Sequence, residues 1–245
     1  MRQLALSAAL FTAAASARGE VLPEEQPESS EGSRSLSFEL KLGPYKPLIS
    51  REASLTGNPY ETIFGASSML LFELEVDKIF WQRFGTLGAG ASIGYASKSA
   101  PALIAVGSGD AGTPSSESTS FKVIPIRAML IYRLDYGALK MGIPFVPYGK
   151  AGLVYEPWWT TKGGVVEFSG TTRGAGAKYG YQFTGGLSFL LDVLEPRMAK
   201  DFSTDIGVSH SYIFAEYTYA NVNNFGKAGL DLSSRHWMFG FAVDF

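Results

Sequence analysis

The chain closes on His236-Trp237-Met238-Phe239-Gly240-Phe241-Ala242-Val243-Asp244-Phe245, and this stretch decides the fold. Trp237, Phe239, Phe241, Val243 and Phe245 fall on one side of an extended backbone. His236, Met238, Gly240, Ala242 and Asp244 fall on the other. A period of two is the signature of a β-strand with unlike faces.

Working back from the terminus, the same alternation recurs seven times. Ile213, Ala215, Tyr217 and Tyr219 oppose His210, Tyr212 and Glu216, with Tyr212 and Phe214 blurring the pattern. Tyr179, Tyr181, Phe183, Leu187 and Phe189 oppose Gln182, Thr184 and Ser188. Ala151, Leu153 and Tyr155 oppose Lys150 and Gly152. Ile124 to Leu134 reads as one strand, with Arg127 and Arg133 on its polar face. Leu87 to Tyr95, Leu70 to Asp77 and Leu36 to Leu42 complete the set. Most runs reach the 9–11 residues that a tilted strand needs to cross a bilayer.

The connections sort by parity. Gly/Pro/Ser-rich segments, Pro44–Ala66, Lys98–Thr119 and Glu156–Ala177, follow the first, third and fifth strands, and Ala220–Ser234 follows the seventh. Briefer ones, around Lys78–Gly85 and Asp135–Pro144, follow the second and fourth; Leu190–Gly207 is longer, with a helical turn expected near Leu194–Ala199. Long loops at one end and mostly shorter turns at the other is the pattern of a membrane barrel. The expectation is an all-β, closed antiparallel transmembrane β-barrel of eight strands. A soluble β-sandwich would show more Lys, Glu and Thr on its second face than the Gly/Ala/Ser/Tyr mixture present here.

Composition fits this reading. The 245 residues are 46% hydrophobic and only 18% charged, too apolar for a disordered polymer. No run of eighteen apolar residues offers a membrane helix. The absence of cysteine removes disulfides, thiol nucleophiles and cysteine metal sites, and the net charge of -2 argues against nucleic acid. Arg2, the apolar run Leu4 to Ala15 and Ala15-Ser16-Ala17 spell a signal peptide over 1–17. Residues 18–33 read as an acidic, disordered tether, leaving 34–245 for the barrel. Without 1–33 the chain keeps 19 basic residues (21 less Arg2 and Arg18) and 18 acidic ones (23 less five glutamates), so it is nearly neutral.

Two sets of side chains follow from parity. Glu39, Lys41, Glu73, Glu75, Arg127, Arg133, Lys150 and Glu216 share the inward face. An eight-stranded interior is just wide enough to be filled by side chains, so these charges are expected to plug the lumen as an ion-pair network. A polar path gated by the outer loops is the sharper alternative. Phe80, Trp81 and Phe84 at one end, and Tyr45, Tyr60, Trp158 and Trp159 at the other, are the expected aromatic girdles.

The chemistry available is sparse. His210 and His236 are the only histidines. The serines beside His210 point to the opposite strand face, and Glu216 lies roughly 20 Å along the strand at about 3.3 Å per residue. No catalytic set, metal site or cofactor is therefore expected. Gly107-Ser108-Gly109 and Gly174-Ala175-Gly176 lack the strand–turn–helix setting of a phosphate loop.

The alternating terminus Trp237, Phe239, Phe241, Val243, Phe245 resembles the C-terminal signal read by the barrel-assembly machinery of Gram-negative envelopes. Phe38-Glu39-Leu40-Lys41-Leu42-Gly43-Pro44-Tyr45, Asn58-Pro59-Tyr60-Glu61-Thr62-Ile63-Phe64-Gly65 and Val146-Pro147-Tyr148-Gly149-Lys150-Ala151-Gly152-Leu153 are similar to segments of a family of small myxobacterial outer-membrane β-barrels, as is Leu190 through His210 to Glu216. The resemblance implies fold and location, with outer-membrane lipid and the assembly machinery as partners, and no activity. The expected role is structural, surface-interacting or small-solute passage, as a monomer. An envelope enzyme acting on lipid or peptide, and a periplasmic lipocalin-like carrier, are the alternatives.

Overall fold

The computed structural model describes residues 34–49, 59–104, 112–169, 172–194, 204, 207–227 and 229–245. The expected signal peptide and tether lie outside these residues, as do Gly107-Ser108-Gly109 and most of the turn expected at Leu194–Ala199. Among the described residues there are twelve strands: β1 (Leu36–Tyr45), β2 (Met69–Gln82), β3 (Thr86–Leu103), β4 (Pro114–Val123), β5 (Ile126–Arg133), β6 (Phe145–Lys162), β7 (Val165–Val166), β8 (Phe168–Ser169), β9 (Thr172–Arg173), β10 (Ala175–Leu190), β11 (His210–Asn221) and β12 (Ser234–Asp244). Two short helices, α1 (Pro59–Phe64) and α2 (Tyr136–Met141), sit in connections.

These strands build eight walls, because β4 and β5 form one interrupted wall between β3 and β6. The ring then runs through β10, β11 and β12. It closes where β12 pairs antiparallel with β1, from Ser37↔Asp244 to Leu42↔Phe239. The result is a closed antiparallel transmembrane β-barrel with no free sheet edge among its walls. Closure satisfies the backbone groups that lipid cannot.

The single strand expected over Ile124–Leu134 is corrected at one point. Pro125 carries no N–H and cannot donate to the ladder. Ile124 instead donates to the Pro157 carbonyl at 3.0 Å, and the Pro125 carbonyl accepts from Gly94 at 2.7 Å. Above this break the chain does not loop. Much of the expected Lys98–Thr119 loop is strand, with β3 running to Leu103 and β4 starting at Pro114. The expected Glu156–Ala177 loop is likewise shortened by β6 and β10. One side of the barrel therefore stands taller than the other, which stops near Tyr45, Met69, Asn221 and Ser234.

Both described termini lie at one end, where Ser35 donates to the Phe245 carbonyl at 2.7 Å. The tight turn after Gln82 and the α2 connection share that end. Helix α2 stops at Gly142, whose φ of 70° is the left-handed conformation glycine adopts without a Cβ penalty. The connection after β10 begins with a 3-10 turn at Leu191–Val193.

The distribution of polarity is inverted relative to a water-soluble fold. Leu70, Leu130, Leu153 and Phe183 are each more than half exposed on the outer face, and every wall carries large exposed apolar residues. The interior holds the charges. An apolar belt this continuous exceeds what a monomeric soluble surface carries.

Candidate functional site

The lumen is the site, and parity decides what enters it. On β1 the burial alternates strictly, so Ser37, Glu39, Lys41 and Gly43 point inward. The same holds for Glu73, Glu75 and Asp77 on β2 and for Arg127 and Arg133 on β5. Tyr212 and Phe214, ambiguous in the sequence, both point inward.

All eight sequence-expected lumen charges join one network. Lys41 contacts Glu75 and lies 3.1 Å from Glu216, 3.4 Å from Glu73 and 3.6 Å from Glu39. Lys150 reaches Glu39 and Glu75, each at 2.6 Å, and Glu216 at 3.7 Å. Arg127 contacts Glu73. Arg133 bridges Glu39 at 2.9 Å, Asp77 at 3.2 Å and Asp244 at 3.0 Å. Glu73, Glu75 and Glu216 thus each meet two cations and Glu39 three, drawn from more than one wall, so that the buried charges are paired.

Sequence reasoning missed the two ends of this column. At the terminal end Arg34 pairs with Asp135 at 2.9 Å and Asp244 at 3.3 Å. Thr86 donates to the same Asp135 carboxylate at 2.5 Å. Asp77 and Asp244 had the right parity and were legible. Arg34 and Asp135 lie outside the strands and gave no signal. The Tyr148 hydroxyl, which donates to Glu216 at 2.9 Å, extends the network sideways.

Toward the loop end the filling turns apolar. Tyr45, Leu71, Phe121, Val123, Val154, Val222, Leu232 and Met238 pack into one buried cluster. Helix α1 supplies Tyr60 and Phe64, whose rings lie 5.9 and 6.4 Å from that of Phe121. Burial pushes the Tyr60 phenol up to about 12. Below this stopper, Tyr45 donates to Glu156 at 3.1 Å and stands edge-on to His236, ring centres 5.4 Å apart.

The girdle expectation is therefore corrected for three residues. Tyr45 is fully buried and Tyr60 nearly so. Tyr45 keeps the inward parity of Glu39 and Lys41, because β1 runs through Pro44 rather than ending there. Trp158 has the parity of Glu156 and stacks on Phe121 at 6.2 Å. Trp159 alternates outward, half-buried. At the terminal end Phe80, Trp81 and Phe84 are exposed on the outside. Exposed aromatics toward the loop end include Tyr95, Tyr179, Tyr217 and Trp237.

Of the side chains expected to form an assembly signal, Trp237, Phe239, Phe241 and Phe245 are exposed on the outer face, and Val243 is half-buried. The Phe245 ring meets Phe38 edge-on at 5.7 Å.

The histidines divide by position. His210 bonds Asp192 through Nδ1 at 2.6 Å, and Asp192 also accepts from the Ser211 backbone N–H and hydroxyl at 3.1 and 3.2 Å. Ser211 thus bonds the carboxylate rather than the imidazole. The arrangement ties the start of β11 to the 3-10 turn. A Ser–His–acid relay needs the serine on the other ring nitrogen.

No protein-family model matches this chain, and no curated protein matches it. Among solved structures, it is similar to Ail, the attachment invasion locus protein of Yersinia pestis, in complex with the heparin analogue sucrose octasulfate: 15% identity over 86% of this chain and 97% of that one, TM-score 0.43. Neisserial surface protein A matches at 14% identity over 86% and 96%, TM-score 0.43. The outer membrane enzyme PagL matches at 11% identity over 85% and 99%, TM-score 0.42. Identities and scores this low transfer no function to this chain.

Proposed function

We propose that this chain is an integral outer-membrane β-barrel that is closed to solutes and serves as a structural and surface-interaction protein. One observation carries the reading: the lumen is blocked twice, by an interlocked ion network and by an apolar stopper above it. Among the described residues, two different kinds of packing in series leave no continuous aqueous route. A carrier of the lipocalin type needs an open, apolar interior, whereas here the centre holds Lys41, Lys150, Glu75 and Glu216, all buried.

Orientation follows from the even number of walls. With the first and last strand ends, Leu36 and Asp244, on the periplasmic side, the tall hairpins β3–β4 and β6–β10 project outward beyond the bilayer. Loops and hairpins on a rigid scaffold vary without unfolding it, so this end is the contact surface for other molecules. The outward aromatic terminus from Trp237 to Phe245 is the segment offered to the barrel-assembly machinery.

Planar-bilayer recording on refolded protein tests closure. The expected trace is a quiet membrane without steady unitary conductance. Replacing the stopper residues in Tyr60→Ser/Phe64→Ser leaves the ion network in place, so that variant stays closed as well. A stable ohmic channel in the parent protein that is altered by Arg127→Ala would establish passage and overturn the proposal.

A further inference from the structure

On the outside of the taller wall, β6 and β10 form a groove of about 480 Å³ lined by Tyr155, Pro157, Trp158, Trp159, Arg173 and the Ala175–Ala177 run, among others. The concavity has a local cause. On the outward face Ala175 and Ala177 pair with Trp159 and Pro157, so small residues on one strand face large ones on the next. Tyr155 and Tyr179 close the lower end as a ring pair 4.8 Å apart.

The depth of the groove is set by the strand below it. From Phe145 at the terminal end to Tyr155, ten residues at about 3.3 Å each and a tilt of roughly 40° rise about 25 Å, the height of the apolar band of such barrels. The groove begins where that band ends, at head-group level in the distal leaflet. It is also charged. Exposed Arg173 on β9 forms its rim and has no ion-pair partner among the described residues. Lys122, the register partner of Trp159 on the adjacent β4, adds a second outward cation.

Resting on the outer-membrane reading above, we propose that this groove binds the head-group of a phosphorylated glycolipid of the outer leaflet. The aromatic rings supply flat apolar surfaces for sugar faces. Arg173 supplies a planar fork of donors matched to phosphate oxygens, seconded by Lys122. The lower, lipid-facing side is continuous with exposed Leu153 and Phe183, which suit the acyl chains. Cations at head-group depth opening toward lipid select a membrane-anchored phosphate over a free one.

The test is a titration of the refolded full-length chain in neutral detergent micelles, read by native mass spectrometry. The probes are bisphosphorylated lipid A, the same glycolipid with its phosphates removed, phosphatidylglycerol and inorganic phosphate. The expected result is saturable retention of bisphosphorylated lipid A. Arg173→Ala and removal of the phosphates each weaken it at least tenfold, and Lys122→Ala weakens it severalfold. Arg235→Ala, at a rim position over the Tyr219 ring, leaves it unchanged. Phosphatidylglycerol and inorganic phosphate show no dependence on Arg173. Equal retention in parent protein and Arg173→Ala, or equal retention of phosphatidylglycerol and lipid A, would overturn the site. If heat-modifiable gel mobility is kept while selectivity is lacking, only the groove assignment fails; if that mobility is missing, the outer-membrane reading itself fails.

Discussion

Lys150→Met will destabilise the barrel by about 3–5 kcal/mol, the cost of stripping one partner from a buried ion network. The Lys150 ammonium lies 2.6 Å from both Glu39 and Glu75 and is itself fully enclosed. Its removal leaves those carboxylates leaning on Lys41 and Arg133, which already serve Glu216, Asp77 and Asp244. Methionine fills much of the lost volume, so the effect reads charge rather than a cavity. In urea titrations followed by heat-modifiable gel mobility, the unfolding midpoint should fall sharply. Pairing the change with Glu75→Gln should restore part of the loss, because one surplus negative charge goes with it. The two changes will therefore not add, as expected for groups in a shared network. Stabilities that add simply would mean the lumen is hydrated enough to screen its charges.

Leu130→Arg should cost about 2–4 kcal/mol, the penalty for arginine facing lipid near the bilayer midplane. Leu130 is 60% exposed, so on a water-soluble protein the same change would be close to neutral. Its register partners are Ala89 and Ala151, small residues that leave the side chain standing alone on the outer wall. It lies midway between Leu134 at the terminal end and Ile126, the partner of Tyr155 at the far edge of the band. The loss should appear in folding titrations into lipid vesicles. A shift below 0.5 kcal/mol, the range for ordinary surface positions, would place this wall in water.

Parity made the lumen legible. Because a strand alternates faces wherever no bulge interrupts it, each Glu, Lys or Arg opposite a row of Leu and Phe had to point inward. Network membership followed from eight walls closing on a narrow interior. Strand length was less legible. Outside the bilayer the outward face no longer has to be apolar, so Ser97 and Ser99 hid the upper part of β3 as loop. The same boundary error misplaced Tyr45 and Glu156, whose parity was already correct. Tyr60 gave no strand signal at all: it enters the mouth on α1, and only tertiary packing fixes its burial. Arg34 likewise joins the buried ion network through Asp135 and Asp244, neither near it in sequence.

The claim on which the rest depends is that this barrel is lined by packed charge and faces lipid. The chain has no cysteine, so a single introduced thiol takes a nitroxide label at one known place. Along β10, Phe183 and Leu187 are exposed, whereas Gln182, Thr184 and Ser188 are buried. Labels on Phe183→Cys and Leu187→Cys in vesicles should be relaxed by oxygen and untouched by a water-soluble nickel chelate. Labels on Gln182→Cys, Thr184→Cys and Ser188→Cys should be reached by neither. Relaxation of the inward labels by the chelate would show an open aqueous lumen, and relaxation of the outward ones would show that the apolar belt faces water.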